Sequence, residues 1–109
     1  MATKIEFVNA LLACTARVYV ANQSPSKPVY PLLLYEQTKD TTVMFADNKP
    51  YAKLKGYWVY FYAKGSLTTL ENSVDAALSS LGYEGHLIRE STNGDVISKI
   101  KEYTNIEEV

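Results

Sequence analysis

Ala52-Lys53-Leu54-Lys55-Gly56-Tyr57-Trp58-Val59-Tyr60-Phe61-Tyr62-Ala63-Lys64 decides how this chain folds. The stretch is dominated by aromatic and β-branched residues, which suit a pleated, half-buried strand. A two-residue period puts Leu54, Trp58, Tyr60 and Tyr62 on one face and Tyr57, Val59, Phe61 and Ala63 on the other. Both rows are bulky, so the segment reads as a central strand over about 52–64 that needs cover on both sides. Gly65-Ser66 ends it.

The flanks supply the covering elements. Downstream, Leu67, Leu70, Val74, Leu78 and Leu81 repeat at helical spacing, with Ala77 beside them, and predict a helix over about 68–81. Thr68 or Ser66 is placed to cap it, with Glu71 three residues after Thr68, and Gly82 stands where a left-handed terminating residue belongs. Residues 85–103 then read as a hairpin turning at Asn93-Gly94. Thr104 to Val109 is polar and acidic and is expected to fray.

Upstream, a helix over about 3–15 opens with a Thr3–Glu6 capping box and carries Ile5, Val8 and Leu12 at helical spacing. Phe7, Leu11 and Cys14 widen that stripe, so the helix is expected to be well covered. Arg17-Val18-Tyr19-Val20 reads as a strand, and Asn22 to Pro28 as a loop. Val29 to Gln37 is extended, and Pro31 requires it to lie at an edge or begin late. Lys39-Asp40-Thr41-Thr42 reads as a loop or turn, Val43-Met44-Phe45 as a short apolar piece, and Asp47-Asn48-Lys49-Pro50 as a turn. The order α-β-β-(β)-β-α-β-β predicts one α+β domain spanning 1–109. Its sheet is mostly antiparallel, two helices pack on one face, and a long β-hairpin-like loop projects from it.

Composition narrows the function. The chain has 109 residues with formal charge −1, which disfavours a basic nucleic-acid domain. One cysteine and one histidine exclude an internal disulfide framework and Cys- or His-rich metal sites, so no cofactor or metal is expected. No apolar run approaches the roughly 20 residues that span a bilayer, and Glu6 and Asn9 interrupt the only candidate signal-peptide core. A soluble product made in the cytosol is expected.

Catalytic patterns are absent: there is no P-loop, Gly-x-Gly-x-x-Gly, Gly-x-Ser-x-Gly or His-Glu-x-x-His. His86 has no nucleophile near it in sequence and reads as a structural or surface histidine, and Cys14 as a small buried hydrophobe. Asp40 and Asp47 are a conceivable acid–base pair, but both stand in turn-like sequence where Asp serves local hydrogen bonds. Lys55, Gly56, Tyr57 and Tyr62 match part of an RNA-recognition pattern. Trp58 and Val59 break that pattern, and Pro25, Pro28 and Pro31 occupy the stretch where that fold needs a helix. A single-stranded nucleic-acid-binding module using the aromatic strand is thus the alternative from another class. A host protein-interaction domain is a third.

Two features point to protein contacts. Charge is uneven, with five lysines against two aspartates in 39–64 and three basic against eight acidic residues in 65–109. That pattern fits solvated faces, complementary edges between copies, or an acidic lumen that lets DNA slide. A domain this small also buries less than about 70% of its unfolded surface. Two helices cover one sheet face, so one aromatic row of the central strand must meet water or another chain, and such patches mark interfaces.

The run Val29-Tyr30-Pro31, Tyr35-Glu36, Phe45-Ala46-Asp47-Asn48-Lys49-Pro50, the strand Tyr57 to Gly65 and the helix ending Leu81-Gly82-Tyr83 resemble the tail-completion proteins of long non-contractile-tailed bacteriophages and prophages, among them the tail terminators or tail-to-head joining proteins. The residues match over about half the chain, and the element order over the rest. The resemblance implies a non-enzymatic structural virion protein, made in the bacterial cytoplasm. It would form a homohexameric ring on the last ring of the tail tube, stop tube polymerisation and present a face to the head connector or stopper protein. DNA would pass through without specific binding. A head-side neck protein of the connector is the nearby alternative. Interface residues expected on this reading are Tyr30, Tyr35, Phe45, Asp47, Trp58, Tyr60 and Tyr62, with the 39–51 loop reaching a neighbour or the tube.

Overall fold

The computed structural model describes residues 4–15, 17–21, 29–46 and 49–108. Its elements are α1 (Lys4–Cys14), β1 (Val18–Val20), β2 (Leu32–Ala46), β3 (Lys49–Lys64), α2 (Thr68–Ser79), β4 (Glu84–Asn93) and β5 (Val96–Glu108). The strands form one sheet in the order β1-β2-β3-β5-β4. Only β1 and β2 run parallel. The domain is therefore α+β with a mostly antiparallel sheet, and β3 lies at its centre.

β2 begins at Leu32, directly after Pro31, where the ring no longer removes a ladder donor. The expected turn at Lys39–Thr42 is instead strand: β2 continues to Ala46 and β3 starts at Lys49. Thr41, Thr42 and Val43 are β-branched and favour extension, which outweighs the local turn chemistry of Asp40. Register shifts between Gln37 and Lys39, Thr42 and Met44, and Met44 and Phe45 let the ladder absorb the mismatch as bulges. The projecting loop is thus a hairpin arm of two long strands, and the molecule measures 54 × 25 × 23 Å.

The C-terminus also departs from expectation. β5 runs to Glu108, because β3 offers ladder partners as far as Ala52, which pairs with Glu108. The β4–β5 turn falls one residue later than the sequence suggests: Asn93 pairs with Val96, and Gly94-Asp95 make the turn, with Gly94 at φ +66°.

The core lies between the helices and one sheet face. Tyr57, Val59, Phe61 and Ala63 of β3 are buried there with Leu33 of β2, Phe7 and Leu11 of α1, and Leu67, Leu70, Val74 and Leu78. Phe7 stacks on Tyr57 with ring centroids 4.1 Å apart and meets Tyr83 edge-on at 5.2 Å. Phe7 and Leu11, not Ile5 and Leu12, are the buried stripe of α1. Ile5 is 73% exposed and Leu12 45%, so this helix is less covered than its composition suggests. Thr3 lies outside the described residues.

α2 starts at Thr68, so Thr68 is its first residue and Leu67 its cap; Ser66 Oγ accepts the Thr68 amide at 3.3 Å. Its end follows the sequence closely. Gly82 has φ +94°, the Tyr83 amide returns to the Leu78 carbonyl at 3.0 Å, and Asn105 Nδ2 donates to the Leu81 carbonyl at 3.0 Å. Ion pairs tie the helix to β5: Lys101, 8% exposed, donates to Asp75 at 2.8 Å and Glu71 at 3.3 Å, and Lys99 donates to Glu71 at 2.7 Å. The Tyr103 hydroxyl donates to Asp75 Oδ1 at 2.6 Å.

Candidate functional site

The face of the sheet opposite the helices is the candidate site. Strand register builds it in rows. Glu36 of β2, Trp58 of β3 and Glu102 of β5 form one row, and Leu34, Tyr60 and Ile100 the next. Leu32, Tyr62 and Ser98 form a third. Trp58, Tyr60 and Tyr62 therefore share one face, as the two-residue period predicts, and each is only partly buried. Leu32 and Leu34, their neighbours on β2 in the same rows, are buried.

Carboxylates hold the rings in place. Trp58 Nε1 donates to Glu102 Oε2 at 3.1 Å, and Thr38 Oγ1 reaches the same oxygen at 3.4 Å. The Tyr60 hydroxyl donates to Glu36 Oε1 at 2.5 Å. Trp58 and Tyr60 meet edge-to-face with centroids 6.3 Å apart. Burial, helped by the hydrogen bond to Glu36, pushes the Tyr60 phenol up to about 12, so it stays a neutral donor at any physiological pH. Burial also raises the Tyr62 phenol, with a further contribution from nearby Tyr30.

The remaining expected interface residues fall elsewhere. Tyr35 lies on the helix-covered side, where its ring meets Phe7 edge-on at 6.3 Å. Tyr30 precedes β2 with Lys64 Nζ 5.6 Å from its ring centroid, and the two residues help line a cleft of about 580 Å³ beside the start of α2. Phe45 lies on the hairpin arm with its backbone opposite Pro50. Asp47 lies outside the described residues, and Asp40 sits in β2 opposite Lys55, within a strand and not a turn. His86 is exposed on β4 opposite Glu102. Cys14 is half-buried, its thiol donates to the Ala10 carbonyl at 3.4 Å, and burial pushes its pKa up, as for a small hydrophobe.

Glu36 and Glu102 were not legible as site residues. Their role depends on which β2 and β5 positions pair with Trp58, and no local motif encodes that register. The segment charges also pair on folding. α2, from the acidic C-terminal half, supplies Glu71 and Asp75 to Lys99 and Lys101 of β5. A second surface stands apart from this face: β4 is the outer strand and all its residues are exposed, including Leu87 at 55% and Ile88 at 46%. Among the described residues no cluster of three metal-ligating side chains occurs, and no helix is long and apolar enough to cross a membrane.

No protein-family model matches the chain, and no curated protein is significantly similar to it.

Proposed function

We propose that this chain is a structural virion protein, a tail terminator that closes as a ring on the head-proximal end of a phage tail tube. There it halts tube polymerisation and offers the head connector a docking face. One observation carries the reading: three aromatic rings of the central strand lie on a sheet face that no helix covers among the described residues. Tyr and Trp are the residue types that anchor protein interfaces. The two unlike sheet edges, short β1 and wholly exposed β4, suit the head-to-tail contacts from which rings are built. The nucleic-acid alternative is disfavoured at the same face, because Glu36 and Glu102 flank Trp58 and repel phosphates.

The test is co-expression with a phage tail-tube protein taken from the genome that encodes this chain, followed by electron microscopy of the tubes. The expected result is shortened tubes with this chain at one end. Tubes of unchanged length that never carry the chain would refute the terminator role. Binding to isolated connectors but not to tubes would move the protein to the head side of the neck.

A further inference from the structure

The open face presents an indole between two carboxylates. Glu36 and Glu102 are the cross-strand neighbours of Trp58, and Tyr60 packs beside it. The polar edges of both rings are already engaged, Trp58 with Glu102 and Tyr60 with Glu36. Among the described residues the hydrogen bond from Tyr60 is the one Glu36 receives. A carboxylate has capacity for about four such contacts.

This face is a docking surface on the reading proposed above, and the present inference rests on that reading. A partner that covers the rings also strips water from Glu36. A carboxylate removed from water requires a cation or several donors in return. Arginine fits both halves of the site: its planar guanidinium stacks on an aromatic ring while its N–H fork grips a carboxylate. Lysine supplies the charge without the planar match. We propose that the partner of this face is a protein surface presenting an arginine side chain, stacked on the Trp58–Tyr60 pair and bound by Glu36.

Trp58 is the only tryptophan in the chain, so its fluorescence reports on this face alone. The probe is the peptide Gly-Arg-Gly-Arg-Gly, titrated into the full chain beside its citrulline counterpart, which keeps the shape and lacks the charge. The expected result is a saturable change in Trp58 emission, about tenfold weaker with the citrulline peptide, as befits loss of a charge-assisted bidentate contact. Glu36→Gln keeps an acceptor for Tyr60 and is expected to weaken arginine-peptide binding by a similar factor. Equal responses to both peptides, no saturable response, or undiminished binding by folded Glu36→Gln overturns the proposal. If that variant fails to fold, the citrulline comparison on the unaltered chain decides alone. The tube assay separates the two claims. A chain that caps tubes but ignores arginine overturns this inference only, whereas one that binds the arginine peptide and never caps overturns the terminator reading only.

Discussion

Lys101 shows what a single residue does in a domain this small. Its ammonium lies under α2 with Asp75 and Glu71, and its side chain keeps 10% exposure. Lys101→Met retains most of the side chain's volume but removes the cation shared by two carboxylates, of which Glu71 keeps Lys99 at 2.7 Å. The cost should be roughly 3 kcal/mol, the low end for breaking a buried pair, because Asp75 retains 40% exposure and can rehydrate. A urea titration should show a lower midpoint with an unchanged slope. Gly85 is tied to the same cluster from the other side. A Cβ there would stand 2.6 Å from Tyr103 Cε1, and the Tyr103 ring has little freedom to yield, being buried and bonded to Asp75 through its hydroxyl. Gly85→Ala should therefore cost about 1–3 kcal/mol, the range for forced overpacking, measured in the same titration.

At the scale of elements, α2 carries a pH dependence through Glu71. Burial alone would raise the Glu71 carboxyl, but hydrogen bonds from Lys99 and Lys101 outweigh it and hold the group below the ordinary carboxylate range. A carboxyl depressed in the folded state contributes stability that is complete above its unfolded value. That contribution fades as pH falls through the folded value. Thermal melts from pH 6 down to pH 3 should show a fall in midpoint that is shallower in Glu71→Gln, and equal slopes in the two proteins would remove Glu71 as the cause. The elements themselves were legible to unequal degrees. β3 and α2 were readable because their periodicities are long and their ends are marked by Gly65 and Gly82. The hairpin arm was not, since Asp40 speaks for a turn against its β-branched neighbours, and pairing with β3 decides for a strand. The sequence draws the stripe of α1 too wide, because Ile5 and Leu12 are as apolar as Phe7 and Leu11, and only packing against Tyr57 chooses between them. The aromatic half of the candidate site followed from a two-residue period, whereas its acidic half needed the strand order.

At the scale of the whole molecule, two surfaces compete as the contact that the proposed tail-terminator role needs. One is the aromatic face around Trp58, and the other is the outer edge of β4 with Leu87 and Ile88. They differ in what each would contribute. An exposed edge offers backbone hydrogen bonds, but the register shift between Leu87 and Arg89 bulges this strand, a device that blunts edge pairing. The face offers rings already held by carboxylates, so little side-chain freedom remains to be lost on docking. The face should therefore dominate. Trp58→Thr removes the ring, keeps strand propensity and avoids adding a third carboxylate beside Glu36 and Glu102. Because Trp58 lies outside the helix-covered core, the isolated subunit should lose only about 1 kcal/mol, near the centre of the range for single substitutions. Its association with tubes should weaken at least about tenfold, the loss of a modest interface anchor. Ile88→Lys on the β4 edge should weaken the same association by roughly threefold or less, as expected for a residue outside the contact. Both variants are read in one co-sedimentation series against tail tubes, with thermal melts to confirm folding. The reverse order of effects would transfer the contact from the aromatic face to the sheet edge.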